Sequence, residues 1–165
     1  MTLMPLLDAP LIIQLHVAAA VPAMIVGPVV LFARIPGRWH RMLGYAWVTA
    51  LAMMALTGLF IPSFDMAVLG HLGPIHLLSF FTLWGIGNGV WLARKRRIAE
   101  HRQAMKSTWF GAMRLAGLLT FLPGRRINQV VFGGPSDAGW LVIGAGVILL
   151  ALLWHRDRGQ NLRAA

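Results

Sequence analysis

Five long runs of apolar residues limit the folds open to this chain more than any other feature. They occupy residues 11–33, 42–61, 75–93, 109–122 and 140–154. A helix of about 20 apolar residues spans the hydrocarbon core of a bilayer, which is about 30 Å thick. Only 12% of the residues are charged, about half the fraction usual in a soluble domain. We therefore expect an all-α, polytopic membrane protein with five spans.

The basic residues collect in the segments between these runs. They concentrate at 34–41, 94–106 and 156–163, and the formal net charge is +10. Lys and Arg at span ends mark cytoplasmic loops, and this explains the charge better than nucleic-acid binding does. We expect a multi-pass protein of the inner (cytoplasmic) membrane, with its N-terminus outside, its C-terminus cytoplasmic, and no nucleic-acid partner.

Two further observations restrict the chemistry. The chain has no cysteine, so disulfides, iron–sulfur clusters and cysteine nucleophiles are excluded. The first 16 residues lack a basic segment and a small-residue cleavage site, so we expect them to lead into a retained helix.

The two halves of the chain resemble each other. The matching positions are His16 with His76, His40-Arg41 with His101-Arg102, and Pro62 with Pro123, at offsets of 60 or 61 residues. A duplicated two-helix unit keeps its direction in the membrane, so the repeats should be parallel. We expect one transmembrane domain over 1–165. It would comprise a four-helix core of two hairpins (about 11–62 and about 74–123) and a fifth helix at about 140–154.

Two pairs of histidines are the candidate ligands of a cofactor. His16 and His76 each lie 18 residues before an arginine of the inner corner, about 27 Å along a helix. Both would therefore lie near the outer side, where facing imidazoles could ligate a b-type haem iron or bind water and backbone carbonyls. His40 and His101, expected in the interhelical corners, would hold a second haem or contact solvent and lipid headgroups.

Arg114 is the most unusual charged residue because it lies inside the fourth run. The acids are Asp8, Asp65, Glu100, Asp137 and Asp157, and none lies within a run. Arg114 must therefore meet a backbone carbonyl, a polar cavity, or an anionic or carbonyl ligand such as a haem propionate, a quinone or a lipid phosphate. Arg125 and Arg126, in a segment expected outside, could contribute to the same anionic site.

Four motifs resemble those of a family of bacterial predicted membrane proteins whose domain has no known function. They are His-Arg-x-x-Gly-Tyr from His40, Ile-His-x-x-Ser from Ile75, His-Arg-x-x-Met from His101, and Pro-Gly-Arg from Pro123. The resemblance covers about residues 16–125 and implies a fold of several transmembrane helices. The chain is also loosely similar to two-haem transmembrane cytochromes b, which set four histidines in two layers of a four-helix core.

These observations lead to one principal functional hypothesis and two others. The principal one is electron transfer through haem b, linked to the quinone pool. The second is a non-catalytic accessory subunit of a larger respiratory or photosynthetic membrane complex, and the third is a protein that handles small solutes or lipids. Membrane lipids are expected partners in each case, with a larger complex or a homo-oligomer as further partners.

Overall fold

The computed structural model describes residues 3–62, 69–70 and 72–163, and the fold over these residues is all-α, as predicted. The helices are α1 (Met4–Leu7), α2 (Leu11–Phe32), α3 (Gly37–Leu59), α4 (His76–Arg94), α5 (Ile98–Thr108), α6 (Arg114–Leu119), α7 (Arg126–Phe132) and α8 (Ala138–Arg163). A π-helical turn, Trp109–Met113, lies between α5 and α6. The β pairing found in this part of the chain is one isolated bridge between Leu69 and Leu72.

Two of the helices, α2 and α3, are long and apolar enough to cross a membrane. They have 22 and 23 residues, about 33 Å at 1.5 Å per residue. The apolar part of α8, Ala138–Leu152, is shorter than a full span. The predicted first run, 11–33, agrees with α2 to within one residue.

Proline residues shape α2. The helix begins after Pro10, and Pro22 and Pro28 lie inside it. Each internal proline lacks an N–H group and leaves a carbonyl one turn earlier without its helical donor. The chain leaves the helix at Ala33, whose backbone is extended, and Pro36 precedes the first residue of α3.

Helices α2 to α5 lie in a large compact unit, Ala9–Ala116. Within it α2 packs on α3, α3 on α4, α4 on α5, and α5 contacts α2. Its core is built around Trp47 and Leu51, which are 1% and 0% exposed. The Trp47 indole Nε1–H donates to the Ala23 carbonyl oxygen over 2.9 Å, which fixes the register of α3 against α2.

A small compact unit comprises Met1–Asp8 and Gly117–Ala165. In it α1 packs against α7. Asn128 is fully buried and hydrogen-bonds the carbonyls of Phe121 and Ser136 and the amide of Ser136, at 2.8–2.9 Å. Gly133 ends α7 with φ +79°, a left-handed conformation that favours glycine.

The prediction that His40 and His101 lie in interhelical corners is wrong. Both belong to the first turns of helices, since α3 begins at Gly37 and α5 at Ile98. The corners are shorter, and one contains Arg96 with φ +59°. Arginine, lysine and glutamate are good helix formers, so the helices continue into polar sequence, whereas hydropathy detects only their apolar part.

Candidate functional site

His16 lies on α2, where α2 meets the end of α3. Its Nδ1 atom is 3.2 Å from Thr57 Oγ1, and Thr57 Oγ1 donates to the Met53 carbonyl oxygen over 2.7 Å. When the Thr57 hydroxyl donates its single hydrogen to that carbonyl, it accepts from His16, and Nδ1 carries the proton of the neutral ring. The Met54 carbonyl is a further backbone hydrogen-bond partner of the ring. In the Nδ1–H tautomer Nε2 keeps its lone pair.

Glycine and small polar residues make room for this ring. A Cβ atom at Gly58 would lie 3.2 Å from His16 Cε1 and 3.0 Å from Ser79 Oγ. Thr57, Gly58 and Ser79 therefore surround His16 where three helices meet. Sequence alone does not single out these residues, although Thr57 and Ser79 are polar positions near the ends of apolar runs.

His76, the first residue of α4, is 3% exposed. The Gly73 backbone N–H donates to His76 Nδ1 over 2.9 Å. Nε2 must then carry the proton, and it donates to the Ile61 carbonyl oxygen over 3.0 Å. The ring ties the turn before α4 to the chain after α3, and both of its nitrogens bind backbone groups.

The inner histidines occupy corresponding helix starts. His101 is half-buried, and its Nδ1 lies 2.8 Å from the Gly89 carbonyl oxygen on α4. A carbonyl only accepts, so Nδ1 is protonated and Nε2 carries the lone pair. His40 is half-buried in the first turn of α3.

A haem iron needs an imidazole nitrogen with a free lone pair, and the other ring N–H is usually held by an acceptor that orients the ring. His16 and His101 have this arrangement. His16 lies near Ser79, close to the start of α4, and His101 lies beside Gly89, close to its end, so each fits one axial position in a different layer. His76 does not fit in this packing, because ligation would require it to give up a backbone hydrogen bond.

Arg114 follows the π-helical turn Trp109–Met113. Such turns are rare and are found frequently at functional sites. The side chain turns back along the helix, so that Cζ lies 3.5 Å from the Phe110 ring centroid and 4.1 Å from that of Trp109. Its Nη1 atom is buried and has no hydrogen-bond partner among the described residues.

Aromatic rings and a second cation extend this arrangement to the end of α2. The Phe32 ring contacts Trp109 and Phe110 edge-on, with centroids 6.0 and 6.1 Å apart. Lys106 Nζ lies 5.4 Å from the Phe32 centroid. We call Phe32, Lys106, Trp109, Phe110 and Arg114 the cationic aromatic cluster. Of these five residues, only Arg114 was predicted from the sequence to have a functional role.

The remaining predicted arginines belong to the small unit. Arg126 Nη1 donates to the Pro5 carbonyl oxygen over 2.6 Å, which ties α1 to α7. Arg125 is exposed. Arg126 therefore already has a structural role, and Arg125 has a free surface.

Among the described residues, no three side chains of His, Asp or Glu come together as a metal site would require. A haem iron held by two axial histidines would not form such a group. The hypothesis that histidines ligate a haem iron therefore depends on the hydrogen bonding of His16, His76, His40 and His101, each considered separately.

Comparison with known proteins gives one match. The model of a family described as "Predicted membrane protein (DUF2306)" matches residues 13–154. No curated protein and no solved structure matches the chain significantly. Because the match runs from the first turn of α2 through the whole apolar part of α8, this chain belongs to the DUF2306 family of predicted membrane proteins.

Proposed function

We propose that this chain is a polytopic inner-membrane protein that binds b-type haem and exchanges electrons with the quinone pool. The main support is the hydrogen bonding of His16 and His101. The Gly89 carbonyl accepts from Nδ1 of His101, so Nε2 keeps its lone pair in the neutral ring, as in a metal-ligating histidine. Thr57 Oγ1 faces Nδ1 of His16 in a contact that the same tautomer satisfies. The proposed orientation places the N-terminus outside and the C-terminus in the cytoplasm.

The packing of the large unit supports the proposed four-helix core of duplicated hairpins. In the first hairpin Trp47 binds the Ala23 carbonyl, and its Nε1 atom lies 3.1 Å from a Cβ built on Gly27. In the second hairpin Thr108, which corresponds to Trp47 at an offset of 61 residues, lies against Gly85. The same position of the second helix thus faces the first helix in both hairpins, whereas Gly87, the counterpart of Gly27, has nothing within 4 Å of a built Cβ atom.

In this proposal His16 would ligate an outer haem and His101 a second, inner one. Their predicted partners are His76 and His40, and His76 would have to release the Ile61 carbonyl. Bound haem would supply one-electron redox chemistry. Thr57 and the Gly89 carbonyl would hold the rings in the ligating tautomer. Arg125 and Arg126 are the proposed groups for propionate or quinone oxygens, a role that the sequence also suggests for Arg114.

The visible spectrum of the protein, purified in detergent from cells supplied with haem, tests this proposal. We expect a Soret band and a reduced-minus-oxidised difference spectrum of b type. His16→Ala should remove or shift the band, whereas His155→Ala, which alters an exposed histidine, should leave it unchanged. A colourless wild-type protein would refute haem binding.

One observation favours the accessory-subunit function as the second candidate. Leu77, Phe80, Trp84 and Trp91 are 49–68% exposed, and their spacing places them on one face of α4. This face would contact lipid or another subunit. Site-specific photo-crosslinking from Trp84 in native membranes should capture one defined protein if the chain is an accessory subunit.

A further inference from the structure

We propose that the cationic aromatic cluster binds the phosphate of an anionic phospholipid from the cytoplasmic leaflet. The inference uses the membrane orientation of the proposed function, but it does not depend on haem. It selects one of the ligands that the sequence suggests for Arg114, namely a lipid phosphate rather than a haem propionate or a quinone.

The cluster provides positive charge at two depths. Lys106 Nζ lies over the ring of Phe32, the last residue of α2. Trp109 packs against Gly27, five residues earlier and so about 8 Å further into the membrane. The Trp109 ring also contacts Phe32, so the Arg114 guanidinium over it lies between the levels of Phe32 and Gly27, at most about 8 Å inside the cytoplasmic end of α2.

Among the residues that the structure describes, no acidic group neutralises the charge of Arg114. Its Nη1 is buried without a partner, and the ion pair found in the described part of the chain is Arg97–Glu100. Aromatic faces attract the guanidinium but accept no strong hydrogen bond. A buried N–H donor without a hydrogen-bond acceptor destabilises the fold. A ligand that supplies an acceptor to Nη1 would remove this cost.

A second copy of this chain is a poor source of that acceptor, because no acid lies within its apolar runs. A lipid phosphate has the required chemistry, since guanidinium groups pair with phosphate oxygens through two parallel hydrogen bonds. Headgroups lie at the level of Lys106, and a modest local depression of the bilayer would bring one to Arg114. Basic pockets on the cytoplasmic side of membrane helices bind anionic lipids in this manner.

Lipid retention in native mass spectrometry tests the inference. The detergent-purified protein is mixed with dioleoyl phosphatidylglycerol or with dioleoyl phosphatidylcholine, which has the same acyl chains but no net charge. We expect about one tightly retained phosphatidylglycerol per wild-type chain. Arg114→Met should lower its retention at least about tenfold, as expected for the loss of a charge-assisted hydrogen bond. Arg114→Lys should lower it less.

Arg41→Met is the matched control, because Arg41 is exposed at the start of α3 and its loss removes the same charge. Equal losses of lipid in the Arg41 and Arg114 variants would overturn the site and indicate diffuse electrostatic attraction. Retention of ubiquinone-2 in place of phosphatidylglycerol, again lost only in Arg114→Met, would also overturn it, in favour of a quinone ligand.

Thermal unfolding without added lipid gives a second measurement. Arg114→Met should then be as stable as the wild type or more so, because it removes a half-buried charge whose Nη1 donor has no partner among the described residues. A less stable Arg114→Met protein with unchanged lipid retention would show that Arg114 only supports the fold. A colourless wild-type protein that still retains phosphatidylglycerol would refute the haem proposal and leave this one standing.

Discussion

Two glycines of α4 offer a stringent test of how closely this helix packs on α5. Gly85 is buried, and a Cβ atom there would lie 2.1 Å from Thr108 Oγ1 and 3.2 Å from Thr108 Cβ. Gly87, two residues further along α4, is exposed and has nothing within 4 Å of the same built atom. The two positions differ in packing but share one helical backbone.

The expected effects of alanine have opposite signs. Either substitution gains about 0.5–1 kcal/mol, because alanine is a better helix former than glycine. At Gly85 the added methyl group also overpacks the α4–α5 contact, which costs about 1–3 kcal/mol. We expect Gly87→Ala to stabilise the protein by about 0.5–1 kcal/mol and Gly85→Ala to destabilise it by about 0.5–2 kcal/mol.

Equilibrium unfolding of the purified variants in mixed detergent micelles measures both effects. The double variant Gly85→Ala/Thr108→Ala should recover much of the loss, because the hydroxyl nearest to the new methyl group is gone, and a double-mutant cycle isolates this coupling. Equal stability of the Gly85 and Gly87 variants would refute the close α4–α5 contact.

Three further predictions concern stability and use the same unfolding assay. Trp47→Phe should cost about 1–3 kcal/mol, since it loses the hydrogen bond to the Ala23 carbonyl and core volume; a neutral result would contradict the α2–α3 register. Asn128→Ala should lower the free energy of unfolding by about 3 kcal/mol, roughly 1 for each hydrogen bond lost; a decrease of less than about 0.5 kcal/mol, as is usual for a surface substitution, would contradict the three buried hydrogen bonds of Asn128. Gly133→Ala should cost about 1–2 kcal/mol because of its positive φ, whereas Gly134→Ala should be nearly neutral, and equal effects would contradict the left-handed turn.

Hydropathy predicted the helical class and the extent of α2 well, because a long apolar run has few other solutions. It placed the starts of α3 and α5 too late. The polar first turns around His40 and His101 are helical because their residues favour helix. For α3, Pro36 also marks the start, since it directly precedes the first helical residue. Hydropathy contains neither of these signals. The fifth run was likewise too short, since α8 continues through the basic tail to Arg163.

The candidate site was predictable only residue by residue. His16, His101 and Arg114 are conspicuous in sequence because polar groups among apolar residues are costly. Their partners are set by helix register: Thr57, the Gly89 carbonyl and the ring of Trp109 come from separate positions brought together by packing. The engagement of both His76 nitrogens also depends on the local turn at Gly73, which no periodicity shows.

The π-helical turn at Trp109–Met113 also has a genetic consequence. One turn of π-helix accommodates about one residue more than an α-turn. Because the wider turn absorbs this residue, deleting a single codon between Trp109 and Met113 would restore regular α-helix and leave the residues on either side facing nearly as they do now. The turn can thus be gained or lost through one in-frame insertion or deletion without repacking the helical segments that flank it.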